Sequence, residues 1–255
     1  MSLAIYESEG RIAVITMNRP ESRNAMSPEL SAALGEAFDR FDSDDEVWVA
    51  ILAGNGRVFC AGADLKALSE GRTAGIMHPE HGFGHFSRRQ RTKPVIAAVD
   101  RPAVAGGFEM VLACDLVVAS ADAVFGLPEV KRSLIASEGG VSRLPRRIPV
   151  NIAMEMALIG DTIDVHRAFS LGLVNVVCEP GKALSEAKAL AERIIENPPL
   201  AVRGARQALL DGLETTEAES FKIATQAGRA LFETEDFKEG PRAFVEKRPP
   251  VWKGR

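Results

Sequence analysis

Glu109 and Glu129 are two carboxylic acids 20 residues apart, each carried by backbone that only small or kinked residues form. Glu109 ends the run Ala105-Gly106-Gly107-Phe108-Glu109, and Glu129 ends Phe125-Gly126-Leu127-Pro128-Glu129. A third small-residue segment lies upstream, Phe59-Cys60-Ala61-Gly62-Ala63-Asp64-Leu65. Residues without bulky side chains let a ligand approach the main chain closely. Two N–H groups converging on one oxygen, one from each glycine segment, would polarise a carbonyl. Each such donor is worth about 3 kcal/mol when charge develops on that oxygen. Carboxyls beside the polarised group can then deliver and remove protons. A glycine pair alone is a weak signal, because glycine also makes ordinary turns.

The two acids are suited to opposite tasks. Glu109 lies within one helical turn of Gly106, and Pro128 stiffens the chain entering Glu129. Residues 123–128 are otherwise apolar, so Glu129 is not expected to be fully solvated. Partial burial and a like-charged neighbour both raise a carboxyl's pKa. One acid protonated and one ionised is the arrangement that coupled proton delivery and abstraction need. A purely structural reading competes, with Glu109 capping its helix and Glu129 paired with Lys131 or Arg132. Spacing alone leaves both open, since structural ion pairs also perturb titration.

The elements that must position these groups are legible as runs and periodicities. Short valine- and isoleucine-rich runs predict buried strands at 12–17, 47–53, 95–99, 116–119 and 174–178. Ser27-Pro28-Glu29 predicts a helix start, with a capping serine, proline at the first helical position and then an acid. Leu30, Leu34, Ala37, Phe38 and Phe41 then share one face. Further helices are predicted from Gly106 through Leu112, over 152–159 ending near Gly160, in a short segment ending at Gly172, and over 184–195. Pro198-Pro199 stops the last of these, and helical segments follow at 200–212, 216–234 and 235–247. Alternating strands and helices indicate an α/β core over residues 1–195. Residues 196–255 form a helical region too small to bury much alone, so it is expected to pack on the core or on another subunit.

Bulk properties exclude several classes. The 255 residues are 46% hydrophobic and 26% charged, an ordinary globular composition. A net charge of −4 argues against nucleic acid or an anionic membrane as partner. The three cysteines, Cys60, Cys114 and Cys178, have no disulfide-framework or zinc spacing and fit a reducing compartment. Cys60 reads as a small buried hydrophobe rather than a nucleophile. No signal-like N-terminus and no membrane-length apolar run is present, so a cytoplasmic location is expected.

Two polar clusters carry alternatives. Ser87-Arg88-Arg89-Gln90-Arg91-Thr92-Lys93 reads as a solvated helix end, the alternative being an anchor for an anionic cofactor. His78, His81 and His85 could suit a metal by spacing, but Pro79, Gly82 and Gly84 break any helix that would align the rings. A mobile loop beside the pocket is expected there, with no metal.

Taken in order, Asn18-Arg19-Pro20, Asn24-Ala25-Met26, Phe59 to Lys66, Lys93 to Val99, Ala105 to Glu109 and Phe125 to Glu129 resemble the motifs of the crotonase superfamily. The likeness covers essentially the whole chain and is strongest to enoyl-CoA hydratases. The ending, Glu246 to Arg255, is also similar to that of carnitinyl-CoA dehydratases, a branch of the same family. The resemblance implies a ββα spiral core and a C-terminal helical trimerisation region, assembled as a homotrimer or a hexamer of two trimers. It implies an acyl-CoA thioester substrate and no metal or redox cofactor. Matched to the motifs, the N–H groups of Ala63 and Gly106 form the oxyanion hole, and Glu109 and Glu129 are the acid–base pair. Arg23, Ala61, Ala63, Asp64, Leu65, Lys66 and Gly106 match the substrate- and CoA-contacting positions, and Lys247 is a CoA-phosphate contact from an adjacent subunit.

Two departures from the family pattern stand out. Ala105 replaces the first of three glycines. The stretch after Glu129 reads Ser133-Leu134-Ile135-Ala136-Ser137-Glu138-Gly139-Gly140, so a third carboxylate, Glu138, is expected near the pocket. Retention of both glutamates favours water addition to an enoyl-CoA. The alternatives are carnitinyl-CoA dehydration, with Glu138 facing a quaternary ammonium, enoyl-CoA isomerisation, and a non-catalytic acyl-CoA-binding protein.

Overall fold

The computed structural model describes residues 2–255. The strands are β1 (Ala4–Glu9), β2 (Ile12–Met17), β3 (Val49–Gly54), β4 (Met77–His78), β5 (Gly82–Phe83), β6 (Val95–Val99), β7 (Ala103–Val104), β8 (Leu116–Ser120), β9 (Val124–Gly126), β10 (Thr162–Asp164) and β11 (Val176–Cys178). The helices are α1 (Pro28–Ser43), α2 (Leu65–Ser69), α3 (Gly106–Ala113), α4 (Gly140–Arg147), α5 (Val150–Ile159), α6 (Val165–Ser170), α7 (Ala183–Ile195), α8 (Pro199–Gly212), α9 (Glu217–Leu231) and α10 (Glu235–Glu246). All five predicted strands form, with shifted ends at β3, β8 and β11.

The main sheet has the order β1-β2-β3-β6-β8-β11. Its first pair is antiparallel and the rest are parallel. Parallel neighbours need crossovers, and α3 is the crossover between β6 and β8. Both faces are covered, which explains why the strands read as continuous apolar runs rather than as alternations. Side chains nevertheless divide with a period of two. Ala50, Leu52, Val95, Ala97 and Val99 join Phe38, Phe41 and Phe108 on one side. Val49, Ile51, Ile96, Ala98 and Val118 meet Ala183, Ala187 and Ala191 of α7 on the other.

A second, three-stranded sheet has the order β10-β9-β7 and brings the segments before Gly106 and before Glu129 side by side. Its strands have two or three residues each, too short for periodicity to reveal. β1 was not anticipated either, because its tail, Glu7-Ser8-Glu9, is polar and exposed.

α1 starts as predicted, with Ser27 Oγ accepting from Leu30 N at 3.3 Å. Leu30, Leu34, Phe38 and Phe41 are fully buried, each contributing about 2 kcal/mol.

The basic run 87–93 is not a solvated helix end, because three of its cations turn inward. Arg89, Arg91 and Lys93 are buried. Lys93 Nζ donates to the Phe41 and Asp44 carbonyls at 2.7 and 2.6 Å, satisfying the C-terminal end of α1. Arg89 pairs with Asp39 and Asp42, and Arg91 donates to the Ala113 carbonyl at the end of α3. A charge run was needed here because two helices end in the interior.

The histidine segment is a short β4–β5 hairpin rather than a loose loop. Its Phe83 and Phe86 are buried, His78 stacks on His81, and His85 Nδ1 lies 2.9 Å from Ser31 Oγ.

Beyond α7 the chain is helical, as expected. α8 and α9 pack on one another but leave Leu209, Leu213 and Phe221 exposed, and α10 leaves Phe244 at 85% and Val245 at 78% exposure. The last residues fold back, with Asp236 accepting from Lys253 N and Gly254 N at 2.7 and 2.9 Å. No helix among the described residues is long and apolar enough to cross a membrane.

Candidate active site

Two short crossings of the chain bring the glycine segments together. Met26 N donates to the Gly62 carbonyl and Asp64 N to the Met26 carbonyl, which leaves the Ala63 N–H between them facing the other way. Gly106 opens α3, where the first N–H groups have no helical acceptor. Among the described residues, neither the Ala63 nor the Gly106 N–H has an acceptor. The segments touch: a methyl placed on Gly62 would lie 3.3 Å from the Gly106 nitrogen. Two open donors, one at the positive end of a helix, can therefore face one carbonyl oxygen. The Phe83 ring lies directly against Gly106, where a methyl would come within 2.5 Å of its Cζ.

Ala105, in the place of the first glycine, holds φ 52° and ψ −133°. That region is close to glycine-only, so the alanine is strained by about 1–3 kcal/mol. The strain is held by neighbours on both sides. Ala105 N donates to the Gly126 carbonyl at 2.9 Å, and Val104 N to the Cys60 carbonyl at 3.1 Å.

Glu109 lies on the first turn of α3 and is only 4% exposed. It does not cap that helix. Its Oε1 instead accepts from Glu138 N at 2.8 Å and from Gly140 N at 3.0 Å, the second of these at the start of α4. Burial pushes its pKa up to about 7, with the Gly140 N–H opposing and the charge of Glu129 adding to the rise.

Glu129 sits on a 3₁₀ turn, Pro128–Arg132, entered through β9. Its Oε2 is buried with no hydrogen-bond partner. Burial raises its pKa, opposed by its own N–H and by Arg132. It makes no ion pair among the described residues, and Lys131 pairs with Asp161 instead. The structural reading of the two acids therefore fails for both.

A cavity of about 330 Å³ adjoins Glu129, and its wall includes Gly140, whose N–H donates to Glu109. Leu127, Leu134, Ile135, Val141, Met154 and Leu158 are among the apolar residues that supply the rest, and Glu129 is the cavity's sole ionisable lining residue. Glu138 does not face this space. Its Oε2 accepts from Phe83 N, Ser87 Oγ and Arg88 Nε at 3.1, 2.8 and 3.1 Å, so the carboxylate expected near a cationic ligand is already engaged.

The remaining predicted positions fall on one strip, with one exception. Ala61 N donates to the Arg23 carbonyl at 3.2 Å, which sets the exposed Arg23 beside the 61–66 segment. Leu65 and Lys66 begin α2 with exposed side chains. Asp64 is committed to the fold: Oδ2 pairs with Arg19 at 2.7 Å and Oδ1 caps α2. The Arg19 guanidinium holds its pKa below the usual range. Lys247 ends α10 in a left-handed conformation, and neither a hydrogen bond nor an ion pair joins it to the 61–66 segment. Cys60 is buried and its thiol is pushed up to about 12 by burial, which fits packing rather than attack.

The donors that hold Glu109 were missed in the sequence. The signal was there in Gly139-Gly140 ahead of a helical run, a ready source of free N–H groups.

Known proteins are similar to this chain over its full length. An enoyl-CoA hydratase of Mycobacterium tuberculosis is 41% identical, with 99% of this chain and 97% of that protein covered. A carnitinyl-CoA dehydratase of Salmonella enteritidis is 38% identical, with 96% of each covered. A crystal structure of an enoyl-CoA hydratase from M. tuberculosis H37Rv superposes with a TM-score of 0.96 at 45% identity, covering 100% of both chains. The model of the Enoyl-CoA hydratase/isomerase family matches residues 7–255, a span that holds both open N–H donors and both acids. The crotonase-like fold and the motif order agree, and the chain belongs to the enoyl-CoA hydratase/isomerase family.

Proposed function

We propose that this chain is an enoyl-CoA hydratase, adding water reversibly to a trans-2-enoyl-CoA to give a 3-hydroxyacyl-CoA. The observation that carries the reading is the pair of acids, Glu109 buried and Glu129 half-buried. One is held by two main-chain donors near a pKa of about 7, and the other has an unpartnered oxygen at the cavity wall.

The thioester oxygen would accept from Ala63 N and Gly106 N, which stabilises enolate character as it develops. Glu109, ionised, takes a proton from water as the water oxygen bonds to C3. Glu129, protonated, gives its proton to C2. Desolvation raises both pKa values, which places Glu109 near the working pH, where a base is most effective, and favours the protonated form of Glu129. CoA would run along the 61–66 strip, with Arg23 and Lys66 near its phosphates. Lys247 of a neighbouring copy would add a further cation. The uncovered apolar face of α8 to α10 suits a homotrimer or a hexamer of two trimers. The reaction as drawn uses side chains, main chain and water, with no resident cofactor.

Carnitinyl-CoA dehydration uses the same pair of acids and is the second reading, favoured by the relative of that name. The apolar cavity and the engaged Glu138 support an apolar acyl group instead. A panel of crotonyl-, longer enoyl- and crotonobetainyl-CoA, followed by loss of the conjugated absorbance, separates them. Turnover of crotonobetainyl-CoA alone would move the assignment to the dehydratase. Turnover of none would remove the hydratase reading.

A further inference from the structure

Glu138 occupies a junction that the hydration chemistry does not explain. Its main-chain N–H donates to Glu109 Oε1 at 2.8 Å. Its side-chain Oε2 gathers Phe83 N, Ser87 Oγ and Arg88 Nε from the β4–β5 hairpin and the turn after it. Phe83, fixed in this way, lays its ring against the main chain of Gly106. One residue therefore touches Glu109 with its main chain and reaches the Gly106 donor through a single intervening side chain. Glu138 and Ser87 are both buried, so the carboxylate's bonds are little weakened by solvent.

We propose that Glu138 is a positioning residue for the hydration reaction, a clamp that sets the Glu109 carboxyl and the Gly106 N–H in register with one another. It touches no reacting atom. Its main chain fixes one oxygen of Glu109, and its carboxylate fixes the hairpin whose aromatic ring backs the N–H donor at Gly106. Loss of the side chain frees the 137–140 segment and the hairpin to shift independently. Misplacement by about 1 Å at such a site costs on the order of a hundredfold in rate.

The proposal rests on the hydratase reading, and the test separates the two. Wild type, Glu138→Ala, Glu138→Gln and the double variant Ser87→Ala/Arg88→Met are assayed with crotonyl-CoA, with circular dichroism and melting as folding controls. A wild type without hydration activity defeats the hydratase reading. With wild type active, Glu138→Ala should lose about tenfold or more in kcat while KM changes by less than about threefold, because alignment rather than binding is lost. Glu138→Gln keeps an acceptor oxygen for Phe83 N and Ser87 Oγ and should recover most of that loss. A folded Glu138→Ala variant with wild-type kcat overturns the clamp, as does an equal fall in the glutamine variant. Should Glu138→Ala not fold, the double variant decides. It removes two of the three hairpin donors outside the catalytic groups, so a lowered kcat at unchanged KM supports the clamp and an unchanged kcat overturns it.

Discussion

Gly62 faces Ala105 so closely that a methyl group on it would lie 2.7 Å from the Ala105 Cβ. The contact joins the two segments whose N–H groups are proposed to share the thioester oxygen. Gly62 also sits at φ 89°, where a side chain is strained regardless of space. Gly62→Ala should therefore push the Ala63 and Gly106 donors apart. Hydration of crotonyl-CoA should fall about a hundredfold in kcat, the effect of losing one oxyanion donor. Steady-state kinetics on the folded variant check this, and unchanged kcat would show that the two segments do not act on one oxygen.

Ala105 makes the opposite case, a residue in a conformation that its side chain resists. Ala105→Gly relieves the strain at φ 52° and ψ −133°. It also gives the unfolded chain more freedom, which offsets part of the gain. The net expectation is stabilisation by about 1 kcal/mol. Urea unfolding measures it. A destabilised glycine variant would mean that the neighbours at Gly126 and Cys60 impose little strain after all.

Much of this site was readable in advance, for a physical reason. Residues that must stay small, such as Gly62 and Gly106, and an acid set after a kinking proline, such as Glu129, are chosen by local backbone demands. Those demands appear in adjacent letters. What was hidden depends on partners far along the chain. Lys93 looked like a surface charge because the carbonyls it satisfies lie about 50 positions away at the end of α1. Glu138 looked like a ligand contact because its partners at 83–88 come next to it only in three dimensions. The short strands β7, β9 and β10 exist through pairing rather than periodicity.

The two acids should separate chemistry from binding. Glu129→Gln keeps the size of the side chain but cannot deliver a proton, and Glu109→Gln cannot accept one. Each should lower kcat by about a thousandfold with little change in KM. Isothermal titration with a non-reactive acyl-CoA should show binding retained in both. Full crotonyl-CoA hydration by either variant would remove that residue from the acid–base pair.

The burial of Glu109 sets activity against stability as pH rises. Its folded pKa of about 7 lies above its ordinary 4.5. Between those values the folded chain keeps a proton that the unfolded chain has released, so stability falls as pH increases through this window. The loss is complete above pH 7 and amounts to about 3 kcal/mol at most. Hydration needs the ionised form, so kcat/KM should climb through the same window as the fold weakens. Glu109→Gln cannot ionise, and its amide oxygen can still accept from Glu138 N and Gly140 N. It should therefore gain on wild type in stability as pH goes from 5 to 8, while remaining inactive throughout. Denaturant unfolding of both proteins across that range tests the coupling. A constant stability difference would show that the carboxylate is solvated in a way its burial does not suggest, and Glu109 would then not be the group that sets the acid limb of the rate profile.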